Sequence, residues 1–193
     1  MRSKVIVEKM ATSQSKPDTV YAIAHWPREA LFKTSDGGQT WSEPLLEAML
    51  YSAVVHPNNP NIIWVADKLG IQESVNGGGS WRRVSTLPVR DLAISPDAPE
   101  RPCAVGNSTE GSFLLCRATT KQYRKYHWVQ SPIPGVQNVG RLTISSTQGN
   151  WMMLSGRAGN ALEYSVFASQ DSGRSWQEIF RGPKDYGPLT LTV

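Results

Sequence analysis

Apolar residues along this chain come in short runs rather than long stripes. Residues 51–55 alternate apolar and small side chains, 62–66 are β-branched and aromatic, and 71–75 and 81–84 follow at short intervals. Between them lie His56-Pro57-Asn58-Asn59-Pro60-Asn61, Asp67-Lys68-Leu69-Gly70 and Asn76-Gly77-Gly78-Gly79. β-Branched and aromatic residues suit a pleated, half-buried surface, whereas Gly, Pro, Asn and Asp favour turns. The pattern predicts four strands and three turns in about 40 residues. No stretch sustains the spacing of an amphipathic helix.

The same unit recurs. Lys16-Pro17-Asp18-Thr19-Val20-Tyr21 aligns on Asn59-Pro60-Asn61-Ile62-Ile63-Trp64, and 31–33 leads into the end of the first unit. A third unit carries apolar runs at 92–94, 102–105 and 113–117, and a fourth at 142–144, 151–154 and 164–168. The units end on Trp41, Trp81, Trp128 and Trp176, spaced by 40, 47 and 48 residues. A four-stranded meander repeated at this period predicts an all-β chain, a β-propeller of four-stranded antiparallel blades, about four in number. The blades fall at about 4–44, 45–86, 87–131 and 132–181 of a single domain, and 182–193 supplies a closing or extra strand. An open row of blades would expose its two end faces. Closure through 189–193 or through an outer strand at residues 4–7, or self-association, is therefore expected.

Three of the tryptophans close one octapeptide, hydroxyl–x–acid/amide–x–Gly–x–hydroxyl–Trp. It reads Thr34 to Trp41 through Asp36 and Gly38, Ser74 to Trp81 through Asn76 and Gly78, and Ser169 to Trp176 through Asp171 and Gly173. Asp36, Asn76 and Asp171 are placed to accept hydrogen bonds from their own turn, and the three glycines suit positive φ. The hydroxyl before each Trp can bond back to the acid or amide, and the indole can then cover the neighbouring strand. The turn consumes the carboxylate's acceptor capacity, so these residues are read as structural. The third unit departs from the pattern: 118–128 is longer and lacks Asp and Gly, so its turn is held in another way.

These octapeptides resemble the Asp-box, or BNR, repeats of sialidases, sortilin-type receptor domains, xyloglucanase-type glycoside hydrolases and plastid Ycf-type photosystem assembly factors. The resemblance implies a sialidase-like propeller fold, with the motif in an outer turn away from catalysis.

Composition narrows the function less. The 193 residues carry a formal charge of +4, with 16 Gly and 13 Pro. That charge permits anionic partners without requiring them, and nucleic acid is not the expected one. No apolar run is long enough for a membrane span. The basic start lacks a long apolar stretch, which places the chain in the cytoplasm if the sequence is complete and leaves secretion open if it is trimmed. Cys103 and Cys116 lie on two runs joined by residues 106–111. They would face each other across a hairpin, and two buried free thiols are expected unless compartment and geometry allow a bridge.

No catalytic residue, metal ligand set or cofactor motif is assigned. The carboxylates Asp67, Glu73, Asp91, Glu110 and Glu163 include no pair singled out for glycoside hydrolysis, and His25, His56 and His127 lack ligand spacing. Two segments suit a binding surface. One is the loop of Trp26 and Arg28. The other is the basic-aromatic turn of Lys121, Tyr123, Arg124, Lys125 and Tyr126. The expected function is a non-enzymatic propeller that presents loops to a protein or glycan partner, with self-association completing the ring where needed. The alternative is a carbohydrate-active module or a fragment of a BNR-repeat glycoside hydrolase.

Overall fold

In the computed structural model, which describes residues 5–25, 28–120 and 125–183, every regular element is a β-strand. The first sheet holds β1 (Ile6–Ser13), β2 (Lys16–His25), β3 (Glu29–Thr34) and β4 (Leu46–Glu47). The second holds β5 (Leu50–His56), β6 (Asn59–Asp67), β7 (Gly70–Ser74) and β8 (Arg82–Ser85). In the third, β9 (Val89–Ala93), β10 (Cys103–Ser108), β11 (Gly111–Thr120) and β12 (Lys125–Pro132) follow one another. The fourth contains β13 (Val136–Gln137), β14 (Leu142–Ile144), β15 (Met152–Ala158), β16 (Tyr164–Ser169) and β17 (Gln177–Arg181). There β13 and β14 pair successive parts of β15, so one strand position is split in two. All pairs are antiparallel, and all but β13 with β15 join consecutive strands. These are the four blades of a β-propeller fold, as the repeat predicts.

The chain forms two compact units, residues 1–87 and 88–193. Blades 1 and 2 share one core, in which Tyr21, Ile23 and Leu31 meet Leu50, Ala53, Val55, Ile63 and Val65. Blades 3 and 4 share another, in which Cys103, Val105 and Leu114 meet Val139, Leu142, Met152, Leu154 and Phe167. Alternation explains both: residues two apart on a strand share a face, and one blade face alone cannot bury itself.

Local readings needed correction. The expected turn at 56–61 shrinks to two residues, because His56 pairs with Asn59 and the strand starts there. Residues 6 and 7 do not serve as an outer strand of another blade. Ile6 pairs His25 and Val7 pairs Ala24, inside the first sheet. The fourth strand of the first sheet begins later and is shorter than the 81–84 run of the second unit suggests: Pro44 lacks an N–H for a ladder, and β4 is two residues long. Cys103 and Cys116 are not free thiols. They sit opposite each other in the β10–β11 register, with Cα atoms 4.1 Å apart, and are disulfide-bonded. The extra strand expected at 189–193 and the loop of the third unit at 121–124 lie outside the described residues.

Candidate functional site

The three octapeptides fold into one corner, built the same way each time. In the first, the Thr34 hydroxyl donates to Asp36 at 2.6 Å and accepts the Gly38 N–H at 2.9 Å. Asp36 accepts from the Thr40 amide and, at 2.6 Å, from the Thr40 hydroxyl. In the fourth blade Ser169, Asp171, Gly173 and Ser175 repeat the set. Asn76 does the same work without charge, accepting the Ser80 N–H and donating its amide to the Ser80 hydroxyl. Gly38, Gly78 and Gly173 have φ of 93°, 95° and 85°, the left-handed region read from the sequence. Each corner is also tied to the first hairpin of its blade, through Gly37 N–H to Asp18 O, Gly77 N–H to Asn61 O and Ser172 N–H to Asn150 O.

These bonds settle what the corner carboxylates can do. Hydrogen bonds from Thr34 and then Thr40 hold the Asp36 carboxyl far below its ordinary range, and Ser175 followed by Ser169 does so for Asp171. A carboxylate that stays ionised and saturated with donors is a poor general acid or base at neutral pH.

Other carboxylates are equally committed. Asp67 is buried and takes a bidentate Arg83 guanidinium at 2.9 and 2.7 Å. Burial pushes its carboxyl up, but Arg83, the Leu69 amide and Gln72 outweigh that and hold it down. Glu73 accepts the Trp64 indole N–H at 3.0 Å and Arg82 at 2.7 Å. Asp91 accepts the Leu142 N–H at 3.0 Å.

The corner indoles do not share one fate. Trp81 packs on the core of blades 1 and 2, and its N–H donates to Leu45 O at 3.2 Å. Trp176 packs on the core of blades 3 and 4. Trp41 remains 45% exposed, which corrects the expectation that every indole seals a gap. It lines an apolar groove of about 490 Å³ on blade 1, together with Val5, Val7, Phe32 and Pro44, and Glu43 is the one carboxylate there among the described residues. The cross-strand pairs Val7–Ala24 and Ala22–Phe32 put these side chains on the blade face opposite Tyr21, Ile23 and Leu31. Val5 and Val7 are 53% and 51% exposed. Sequence reasoning gave Trp41 a structural role and passed over Val5 and Val7.

Another groove, of about 180 Å³, is polar and lies beside the β10–β11 turn, with Glu110 as the one carboxylate among its described residues. One mixed cluster lies at an end of blade 1, where His25 Nε2 is 3.1 Å from Glu8 and 3.5 Å from Glu29. These are the one set of three potential metal ligands within reach of each other among the described residues. A register shift at Glu8 brings it there, and the Leu50 N–H bonds Glu29 from the next blade. Glu8 and His25 are about half exposed while Glu29 is largely covered, and a histidine between two carboxylates is a sufficient account of the cluster.

Of the binding residues read from the sequence, Arg28, Lys125 and Tyr126 fall among the described residues. Arg28 is exposed and lies 3.8 Å from Glu47, a loose surface pair. Tyr126 is engaged within blade 3: the Arg117 guanidinium lies 3.4 Å from its ring centroid, and its hydroxyl donates to Glu100 at 2.8 Å. Lys125 begins β12, while Trp26, Lys121, Tyr123 and Arg124 lie outside the described residues.

No protein-family model matches the sequence, and no curated protein matches it. Solved structures do. An ancestral GH74 enzyme is similar at 17% identity and TM-score 0.65, over 90% of this chain and 24% of that one. The GH74 xyloglucanase from Xanthomonas campestris is similar at 14% identity and TM-score 0.65, over 90% and 30%. YCF48 from Cyanidioschyzon merolae is similar at 14% identity and TM-score 0.51, over 92% and 69%. The chain thus spans a quarter to a third of these GH74 enzymes. At such identities the likeness establishes the architecture: this chain is built as a β-propeller of repeated blades.

Proposed function

We propose that the chain is a non-catalytic propeller module of the Asp-box kind that docks a protein partner through the groove of blade 1. The observation that carries this reading is Trp41, a large indole left half exposed in an apolar groove. Contiguous exposed apolar surface of this kind marks docking sites, and buried tryptophans are frequent anchors there. Its rim offers Glu43 for orientation. The Cys103–Cys116 bridge supports the alternative that the chain works in an oxidising compartment, because such bridges are rare in a reducing cytosol.

The carbohydrate-active alternative draws on the likeness to GH74 enzymes. Cleaving a glycosidic bond uses two carboxylates about 5–10 Å apart. Among the described residues each of these two grooves offers one, and Asp67 and Glu73 are occupied by Arg83 and Arg82. A sugar also presents hydroxyls that need polar partners, and the blade 1 groove lines most of its wall with carbon.

A displayed peptide library is the direct test. Apolar peptides should be selected, and their binding should fall about tenfold or more on Trp41→Ala, the loss of an interface anchor. A parallel panel of xyloglucan and oligogalacturonate checks the alternative. Release of new reducing ends, or sugar binding that requires Trp41, would overturn the docking reading.

A further inference from the structure

Corner 2 carries a chemically labile pair that corners 1 and 4 lack. It holds Asn76-Gly77, and no other asparagine of the chain precedes a glycine. Asparagine in that setting is prone to lose its amide. The next backbone nitrogen attacks the side-chain carbonyl, and a glycine has no Cβ to crowd the five-membered ring that forms. Asn76 is exposed, so water reaches it, while Gly77 is buried.

The closed corner keeps every reacting atom engaged elsewhere. The Gly77 N–H, whose nitrogen would attack, donates to Asn61 O at 2.9 Å. Asn76 Oδ1 accepts the Ser80 N–H at 2.9 Å and the Ser74 hydroxyl at 3.0 Å, and Nδ2 donates to the Ser80 hydroxyl at 3.0 Å. Gly77 is also walled in: a Cβ added there would lie 3.0 Å from Lys33 Nζ and 3.1 Å from Asn61 Oδ1. The carboxamide must turn out of its bonds, and the Gly77 N–H must leave Asn61, before the ring can close.

The product already has a pattern in this chain. In corners 1 and 4 an aspartate fills the same place, accepting the Thr40 or Ser175 N–H and, at 2.6 Å, the hydroxyl of the same residue. Ser80 needs only to turn its hydroxyl from acceptor to donor to bond an aspartate at 76 in the same way. The Lys33 ammonium against Gly77 sets a cation one residue from the new charge.

We propose that Asn76 is a site of spontaneous deamidation, withheld while corner 2 is closed and released when it opens, and that the aspartate formed closes the corner again. The Gly77 nitrogen gives up its proton and bonds Asn76 Cγ. The Cγ–Nδ2 bond breaks, and the amide nitrogen leaves as ammonia with that proton. Water then opens the imide. Opening at Cγ restores the ordinary backbone with aspartate, and opening at the other carbonyl gives isoaspartate, whose extra backbone methylene no corner of this chain contains. The sum is amide plus water to acid plus ammonia, with no oxidant or reductant.

The test incubates full-length protein, folded and in urea, at mildly basic pH. Mass spectrometry of the tryptic peptide 69–82 follows the exchange of amide for acid. The unfolded chain should deamidate at Asn76, and the folded chain about tenfold or more slowly, by the free energy of opening. Ser80→Ala should speed the folded reaction, and Ser80→Thr, the residue of corner 1, should leave it slow. Asn76→Asp, the product made directly, should keep the urea midpoint of wild type. Equal folded and unfolded rates overturn the proposal, and so does an unfolded chain that keeps its amide. A folded Ser80→Ala chain as slow as wild type, or an Asn76→Asp chain that unfolds well before it, does the same. Should Ser80→Ala not fold, the wild-type rates and the Asn76→Asp midpoint decide alone.

Discussion

At the scale of single residues, the corner separates charge from geometry. Asn76 holds the second corner with a neutral amide, whereas Asp36 holds the first as a carboxylate. Asp36→Asn should therefore fold normally at neutral pH, its amide donating to Thr40 as Asn76 does to Ser80. Acid should separate the two proteins. Hydrogen bonding depresses the folded-state value of Asp36, so its contribution is present above the unfolded value of about 4 and is lost as pH falls toward the folded one. Urea midpoints in that acid range should fall more steeply for wild type than for the variant, and identical slopes would deny the carboxylate this role. The glycines give a second prediction. Gly78→Ala combines a φ of 95° with a Cβ 2.6 Å from Leu45, and should cost about 1–3 kcal/mol. Gly111→Ala meets open space at a φ of 129°, so it carries the backbone strain alone and should cost less in the same melts.

At the scale of the blade, the meander is held by ladders and by a few buried polar pairs. Arg83 neutralises Asp67 between β8 and the β6–β7 turn, with Asp67 almost wholly buried. Arg83→Met would strand that carboxylate and should cost about 3 kcal/mol, and adding Asp67→Asn should recover part of the loss. A single variant within about 0.5 kcal/mol of wild type would mean the Leu69 amide and Gln72 suffice. The blades and corners were legible in the sequence because each closes on itself: a turn, its hydroxyl, its acid and its glycine lie within eight residues. The late start of β4, the exposure of the Trp41 indole and the pairing of Asp67 were not. Each depends on what a neighbouring strand or blade supplies, and periodicity within one unit carries no record of it. The cysteines lie between these cases. Their opposition was readable from the hairpin, but whether the sulfurs are joined depends on register and oxidation rather than on residue type.

For the molecule as a whole, the organisation by cores has a thermodynamic consequence. Residues 1–87 and 88–193 each enclose their own cluster of buried apolar side chains, and the one disulfide lies in the second. A covalent link between residues 13 apart removes chain entropy from the unfolded state worth about 3 kcal/mol. In a unit of this size that corresponds to a shift on the order of 10 °C in Tm. Calorimetry of the full chain should therefore resolve two transitions. Adding reductant, or replacing both cysteines with alanine, should lower the one belonging to blades 3 and 4 and leave the other in place. The double replacement also shrinks the core around Leu114 and Met152, so its shift should exceed that of reductant alone. Trp64 reports on the transition that stays put, being fully buried in blade 2 against Glu73. Two units that melted together, with the Trp64 signal following the disulfide, would show that the cores are coupled and that the pair of blades is not the unit of stability.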